Sequence, residues 1–229
     1  MISVIIPTLF KVNRIYETLK ELSECPFVDE IILIDNTDLK KDIDINKVKY
    51  IFEGSNKFVN PSWNKGVELS RNNELCILND DIWFDWSVFG IILPYISEEN
   101  GIIGMSSTNY THPTVRDFKI EPILSNKKTS KGDRPFGYGC CFFINKKNWI
   151  NIPEEMLIWA GDDFIFYYKN NLINYEISGI ECFGGMSVTS DDEDLSRVFD
   201  PIKRNDMLIM KDIIRKGYVE NYLIGTIWE

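Results

Sequence analysis

The chain predicts an α/β domain with a central, mostly parallel sheet flanked by helices, and three observations carry that prediction. Short apolar runs rich in β-branched residues alternate with amphipathic segments through the N-terminal half. Polar residues crowd the ends of those runs. The length of 229 residues suits one well-packed domain and is short for two.

The elements follow in order. Ser3-Val4-Ile5-Ile6 is a strand buried on both faces, which Pro7 is expected to stop. Ile15, Leu19 and Leu22 recur at helical spacing within residues 12–24, ended by Cys25-Pro26. Residues 30–35 and 48–52 are a second and a third strand. Asn60-Pro61-Ser62 opens a helix with Asn60 or Ser62 as the expected cap, and Trp63, Val67 and Ser70 on one face. Leu75-Cys76-Ile77-Leu78 is a fourth strand, ending in Asn79-Asp80-Asp81. This alternation implies right-handed crossovers. Farther on, residues 101–105 and 140–144 read as strands, 162–171 as a helix and 203–216 as an amphipathic helix. Residues 107–135 are polar and predict a long loop or a hairpin excursion.

Composition excludes several classes. The 25 Lys and Arg against 35 Asp and Glu leave a net charge of −10, which argues against a nucleic-acid-binding surface. No run approaches the about 18 apolar residues of a membrane span. The first ten residues are too short an apolar run for a signal peptide core and lack a basic leader. Five cysteines without a C-x-x-C pair predict reduced, mostly buried thiols in a cytoplasmic protein. On the same grounds the sequon Asn109-Tyr110-Thr111 is expected to be inert. The acid excess is partly paired, at Asp80-Asp81, Asp162-Asp163 and Asp191-Asp192.

Ligands of open parallel sheets sit at the carboxyl ends of the strands. That rule selects Pro7-Thr8, Asp35-Asn36 and Asn79-Asp80-Asp81. Each also has a plainer reading as a turn or helix cap. Adjacent acids at a strand end can hold a hard divalent cation, which in turn can bridge two phosphates. Without a cation, two packed carboxylates would repel one another.

In order and spacing these segments resemble the family 2-type glycosyltransferases of the GT-A fold, over about residues 1–190. Ser3-Val4-Ile5-Ile6-Pro7-Thr8 is similar to their opening strand, and residues 30–36 to the strand whose terminal acid binds the base of the sugar nucleotide. Asn56, Asn64 and Gly66 match the family's N-x(7)-N-x-G segment, and Leu78-Asn79-Asp80-Asp81 its D-x-D region with Asn in the first place. The resemblance implies Asp81 as ligand of Mn²⁺ or Mg²⁺, with Asn79 and Asp80 near ribose and diphosphate. Pro7, Thr8, Asp35, Asn36 and Asn64 belong to the same donor site. Trp159-Ala160-Gly161-Asp162-Asp163 looks like the G-E-D segment at a helix start, which makes Asp163 the expected general base for an acceptor hydroxyl. A base opposite the leaving diphosphate gives inversion in one displacement.

The implied protein is a single domain over residues 1–229: a nucleotide-sugar-binding half to about residue 106, an acceptor and catalytic half to about residue 200, then a helix and tail. Its partners are a nucleotide-diphosphate sugar and a glycan, glycolipid or protein acceptor; peripheral membrane contact is left open. Gly137-Tyr138-Gly139-Cys140 reads either as a close approach to sugar or as a turn into a strand. Of the aromatic residues Trp83, Trp86, Tyr138 and Trp159, Tyr138 and Trp159 are the expected sugar-stacking candidates, with Asp162 beside them. Asp191 to Asp194 reads as a solvated loop or a helix start.

Three departures stand out. Cys182 occupies the place before Gly184-Gly185 where many relatives carry His, Ile165 replaces a common acid, and Trp63 replaces an Arg. The lone His112 reads as a loop residue. Two other functions fit the same core: a sugar nucleotidyltransferase, disfavoured because Pro7-Thr8-Leu9-Phe10-Lys11 lacks glycine, and a non-catalytic nucleotide- or sugar-binding module.

Overall fold

The computed structural model describes residues 1–106, 109, 117–123, 139–168, 172–184 and 193–219. Strand β1 (Ile2–Thr8) is buried at every residue. It pairs in parallel with β2 (Val28–Asp35) on one side and β4 (Glu74–Leu78) on the other, and β3 (Val48–Phe52) adds in parallel outside β2. Pro7 does not end β1 as expected. It lies opposite Ile34, while the β4 ladder runs only from Ile2 to Ile5. At Pro7 the strand therefore has a neighbour on one side only, where a lost N–H is tolerated.

The remaining strands are β5 (Asn100–Met105), β6 (Lys119–Ile123), β7 (Cys141–Asn145) and β8 (Ile173–Ser178). The eight-stranded order is β3-β2-β1-β4-β7-β5-β8-β6. Strand β7 runs antiparallel to both β4 and β5, and β6 is antiparallel to β8; the other pairs are parallel. Chain order reverses around β1, which is the switch point where ligands of such sheets gather. Because β7 is reversed, its beginning lies beside the end of β4. Strands β6 and β8 were not among the expected elements: both mix exposed and half-buried residues, and β6 carries Pro122 at the sheet edge.

Helices cover both faces. Helix α1 (Ile15–Glu24) buries Leu19 and Leu22 against Val4 and Ile6. It starts later than expected and stops at Cys25-Pro26 as expected. Helix α2 (Val59–Leu69) packs Trp63 and Val67 against Ile5 and Ile32 on the opposite face. A Cβ on Gly66 would stand 2.3 Å from Ile5 Cγ2, so the glycine of the N-x-G segment is what lets α2 lie close on β1. The expected caps are corrected: Phe58 is the N-cap residue, without a side-chain cap bond, while Asn60 and Ser62 lie inside the helix and Ser70 follows its end. The Ser62 hydroxyl instead donates to the Phe58 carbonyl at 2.6 Å.

A short helix α3 (Phe89–Ile92) follows β4. Helix α4 (Gly161–Tyr167) ends sooner than expected, because Tyr168 turns extended. Helix α5 (Glu193–Arg215) begins well before residue 203, with Glu193 and Asp194 in its first turn and Pro201 inside. Asp191 and Asp192 lie outside the described residues, as do His112 and most of 107–135. All five cysteines are free, Cys140 half-buried and the rest buried. Asn109 is buried, donating to the Ile177 carbonyl at 2.8 Å and accepting from Ile180 N–H at 3.2 Å, which withdraws the sequon from modification. Among the described residues no helix is long and apolar enough to cross a membrane.

Candidate active site

The strand ends selected by position meet at one rim of the sheet. The Thr8 hydroxyl donates to Asp80 Oδ2 at 2.6 Å and accepts from Phe10 N–H at 2.8 Å. Its carbonyl accepts from Asn36 N–H at 2.9 Å. The ends of β1, β2 and β4 are thereby fastened together through Thr8. Burial pushes the Asp80 carboxyl up from its ordinary value, opposed by the Thr8 hydroxyl and its own backbone N–H.

Asp35 is fully buried. Its Oδ1 accepts from Thr37 N–H at 2.8 Å and its Oδ2 from the Tyr50 hydroxyl at 2.5 Å. Burial, then the bond to Asp35, pushes the Tyr50 phenol up to about 12. Asn36 donates to Ser62 Oγ at 3.0 Å and accepts from Lys57 N–H at 3.0 Å, tying β2 to the start of α2. Asn64 has its amide taken by the segment before residue 153: it donates to the Ile152 carbonyl at 2.8 Å and accepts from Trp149 Nε1 and Ile152 N–H. Pro7, in β1, sits next to Thr8 on this rim.

At the end of β4, Asn79 N–H donates to the Cys140 carbonyl at 2.9 Å, so the turn leans on the approach to β7. Asn79 and Asp80 are half-buried and Asp81 is 8% exposed. The segment after β8 closes over the same turn. Trp83 and Phe183 exchange two backbone hydrogen bonds, and their rings stack at 6.5 Å. A Cβ on Gly184, whose φ is +123°, would fall 1.8 Å from the Asp81 carbonyl oxygen. Only glycine permits that approach. Cys182 is thus carried to the neighbourhood of the Asn79-Asp80-Asp81 turn, but buried, with its thiol pushed up by burial and then by Cys141.

The second acid pair opens α4. Ala160 takes a left-handed conformation at φ 60°, and Asp162 and Asp163 form the first turn, where the helix dipole favours acids. Asp162 is half-buried and Asp163 is 3% exposed. A Cβ on Gly139 would lie 3.3 Å from Asp162 Oδ2, so this glycine sits against the acid. The Cys140 thiol is pushed up to about 12, first by burial, then by the charges of Asp81 and of Asp162. The turn that carries Asp81 is bonded to Cys140 through Asn79, and Asp162 lies against Gly139, so the two segments meet at the start of β7 although 81 residues separate Asp81 from Asp162 in the chain (162 − 81). Trp159 is 38% exposed with Lys203 Nζ 5.7 Å from its ring, whereas Tyr138 and Gly137 lie outside the described residues.

A divalent cation fits this donor set in a limited way. Among the described residues no three His, Cys, Asp or Glu side chains are grouped to hold a metal by themselves. Asp81, with Asp80 beside it, supplies hard oxygen, while Cys182 is soft. One or two carboxylates completed by phosphate oxygens and water is the usual protein site for Mg²⁺.

Two residues were not anticipated from the sequence. Asp206 of α5 is fully buried and accepts backbone N–H bonds from Leu157, Ile158 and Trp159. Asn60, expected as a cap, donates Nδ2 to the Trp159 carbonyl at 3.2 Å. The readable signal for Asp206 was an acid on the apolar seam that Phe199, Met210 and Ile213 define.

Comparison with solved structures gives the same architecture. Residues 1–349 of S. aureus TarS align with a TM-score of 0.57 at 16% identity, covering 88% of this chain and 64% of that one. This chain therefore spans less than two thirds of that relative's length. A mannosyltransferase from Pyrobaculum calidifontis, solved with GDP-Man and Mn²⁺, aligns with a TM-score of 0.59 at 11% identity, over 97% of this chain and 66% of that one. HddC from Yersinia pseudotuberculosis aligns with a TM-score of 0.53 at 14% identity, over 89% of this chain and 100% of that one. These likenesses carry the GT-A fold. No curated protein matches the chain by sequence. The profile of glycosyl transferase family 2 matches residues 3–151, well over half the length, and the chain belongs to that family.

Proposed function

We propose that the protein is a metal-dependent, inverting glycosyltransferase that moves a sugar from a nucleotide-diphosphate sugar to a hydroxyl of a glycan, glycolipid or protein acceptor. The observation that carries this reading is the meeting of two acid-bearing segments at the start of β7, where Asn79 N–H bonds the Cys140 carbonyl at 2.9 Å and Gly139 lies against Asp162. The donor side comprises Pro7, Thr8, Asp35, Asn36, Asn79 and Asp80, with Asn64 acting by holding residues 149–152 in place. The acceptor side comprises Gly139, Trp159 and Asp162, with Tyr138. Family membership supports the reaction class. The UDP in one TarS structure and the GDP-Man and Mn²⁺ in the mannosyltransferase support the donor class.

Asp81 would hold Mn²⁺ or Mg²⁺, whose positive charge stabilises the departing diphosphate. Asp163 accepts the proton of the attacking hydroxyl as the new glycosidic bond forms, at the face opposite the leaving group. Its burial excludes bulk water from the carboxylate. Buried free thiols fit a reducing compartment and support a cytoplasmic site of action.

Thermal-shift titration with UDP and GDP, with and without Mn²⁺, tests the reading. A nucleotide-dependent rise in melting temperature that needs Mn²⁺ is expected, because ligand binding stabilises by mass action. Asp81→Ala should abolish the metal-dependent part. No shift with any nucleoside diphosphate, with or without metal, overturns the proposal.

A further inference from the structure

We infer that Asp206 is a positioning residue that, with Asn60, fixes the loop leading into helix α4, whose first turn carries the proposed base; this rests on the glycosyltransferase reading above. The loop is Leu157-Ile158-Trp159, held from both sides. On one side the Asp206 carboxylate accepts Leu157 N–H at 3.0 Å through Oδ1, and Ile158 N–H at 2.7 Å and Trp159 N–H at 2.8 Å through Oδ2. On the other, the Leu157 carbonyl accepts Asn60 N–H at 3.0 Å and the Trp159 carbonyl accepts Asn60 Nδ2 at 3.2 Å. Three consecutive residues thus have their amide groups claimed by two helices distant in sequence.

The choice of side chain is specific. Asp206 faces only donors, so both of its oxygens must accept. Asparagine would turn an NH₂ group against at least one backbone N–H. Full burial leaves no water to compensate. The next residues transmit this register without slack. Ala160 is left-handed, and a Cβ on Gly161 would stand 2.2 Å from Asn60 Oδ1, so the backbone is pressed against the clamp immediately before Asp162 and Asp163.

The clamp also reaches the donor side. Asn60 lies in α2, whose start is bonded to Asn36 at the end of β2 through Ser62 and Lys57. Helix α2 therefore sets the spacing between donor rim and base, and α5 holds the loop before α4 onto α2. Misplacement of a reacting group by about 1 Å can lower a rate about 100-fold.

The test uses the full chain and Asp206→Asn. Binding is measured with UDP and GDP plus Mn²⁺, and turnover as nucleotide release from UDP-glucose and GDP-mannose with water as acceptor. Hydrogen exchange is followed across residues 155–163. The expected variant keeps nucleotide affinity and donor KM within about twofold, loses about 100-fold in kcat, and loses protection at the three clamped amides. A kcat within twofold of wild type, once those amides exchange freely, overturns the inference. So does a loss of nucleotide affinity in parallel with kcat, which marks general damage to the fold. Should Asp206→Asn not fold, Gly161→Ala displaces the same loop from Asn60; it should lose kcat and keep nucleotide binding, and an unchanged kcat overturns the inference. Wild-type protein that neither binds nor turns over these nucleotides overturns the proposed activity and the clamp's role together. Turnover retained in both wild type and variant overturns the clamp alone.

Discussion

The two ends of the parallel strands treat their carboxylates differently. At the amino end, Glu30 is buried and receives the Ser3 hydroxyl at 2.6 Å, Arg71 N–H at 2.6 Å and the Arg71 guanidinium Nε at 3.3 Å. Beside it Asp29 receives Arg71 Nη2 at 3.1 Å and Asn72 Nδ2 at 3.0 Å, and the Asn72 bond is the main reason its carboxyl lies below the usual range. At the carboxyl end, Asp35 and Asp80 are answered by hydroxyls and backbone N–H groups instead. Charge is matched at one end. At Asp35 and Asp80 it is held by neutral donors.

Four measurements probe that contrast. Asp163→Ala carries the largest effect: transfer should fall about 10²- to 10⁴-fold while nucleotide binding persists, read as initial rates against binding isotherms. Glu30→Ala should show the opposite profile. It strands the Ser3 hydroxyl and the Arg71 N–H, destabilising by about 2 kcal/mol and lowering Tm by about 4–8 °C, with nucleotide affinity unchanged.

Tyr50→Phe reads the carboxyl end through pH. The Tyr50 phenol sits near 12 in the fold against 10.0 ordinarily, so its stabilising contribution is complete below pH 10 and is lost as pH rises from 10 to 12. Thermal unfolding of the wild type should therefore weaken more steeply across that window than that of Tyr50→Phe. Asp80→Asn should be the mildest. Removing a carboxylate that burial disfavours stabilises the ligand-free protein by on the order of 0.5 kcal/mol, while Mn²⁺-dependent nucleotide binding weakens. A drop in melting temperature equal to that of Glu30→Ala would erase the distinction between the two ends.

Much of the amino-terminal half was legible because strands buried on both faces announce themselves as unbroken apolar runs. Strands β1, β2 and β4 are such runs; the half-buried β3 still falls on residues 48–52 as read, and Cys25-Pro26 ends α1 as read. Pro7 misled because its tolerance depends on where β4 stops pairing, a fact of the sheet and not of the local sequence. Strands β6, at the sheet edge, and β8, beside it, escaped notice because their half-exposed positions leave no apolar run. At the candidate site, Asp35, Asp80 and Asp81 were selected by the rule that ligands gather at strand ends, and Asp162 and Asp163 by the family resemblance. Asp206 was not, since its partners lie 47 to 49 residues away along the chain. Asn60 was visible but misassigned: its neighbourhood reads as a helix cap until Trp159 is folded onto it.

The thiols packed beneath the rim give the molecule a reporter of its own. The thiolate is the form that reagents attack, and burial holds Cys140, Cys141 and Cys182 protonated well beyond neutral pH. Alkylation at pH 7 must then wait for local opening, and its rate measures how often the rim breathes. The Cys140 thiol is pushed up furthest by burial, then by the charges of Asp81 and Asp162, and the Cys140 carbonyl is bonded to Asn79 N–H, so its labelling reports on opening of that turn. Mass spectrometry of the alkylated peptides reads how often this rim opens, with no foreign probe attached.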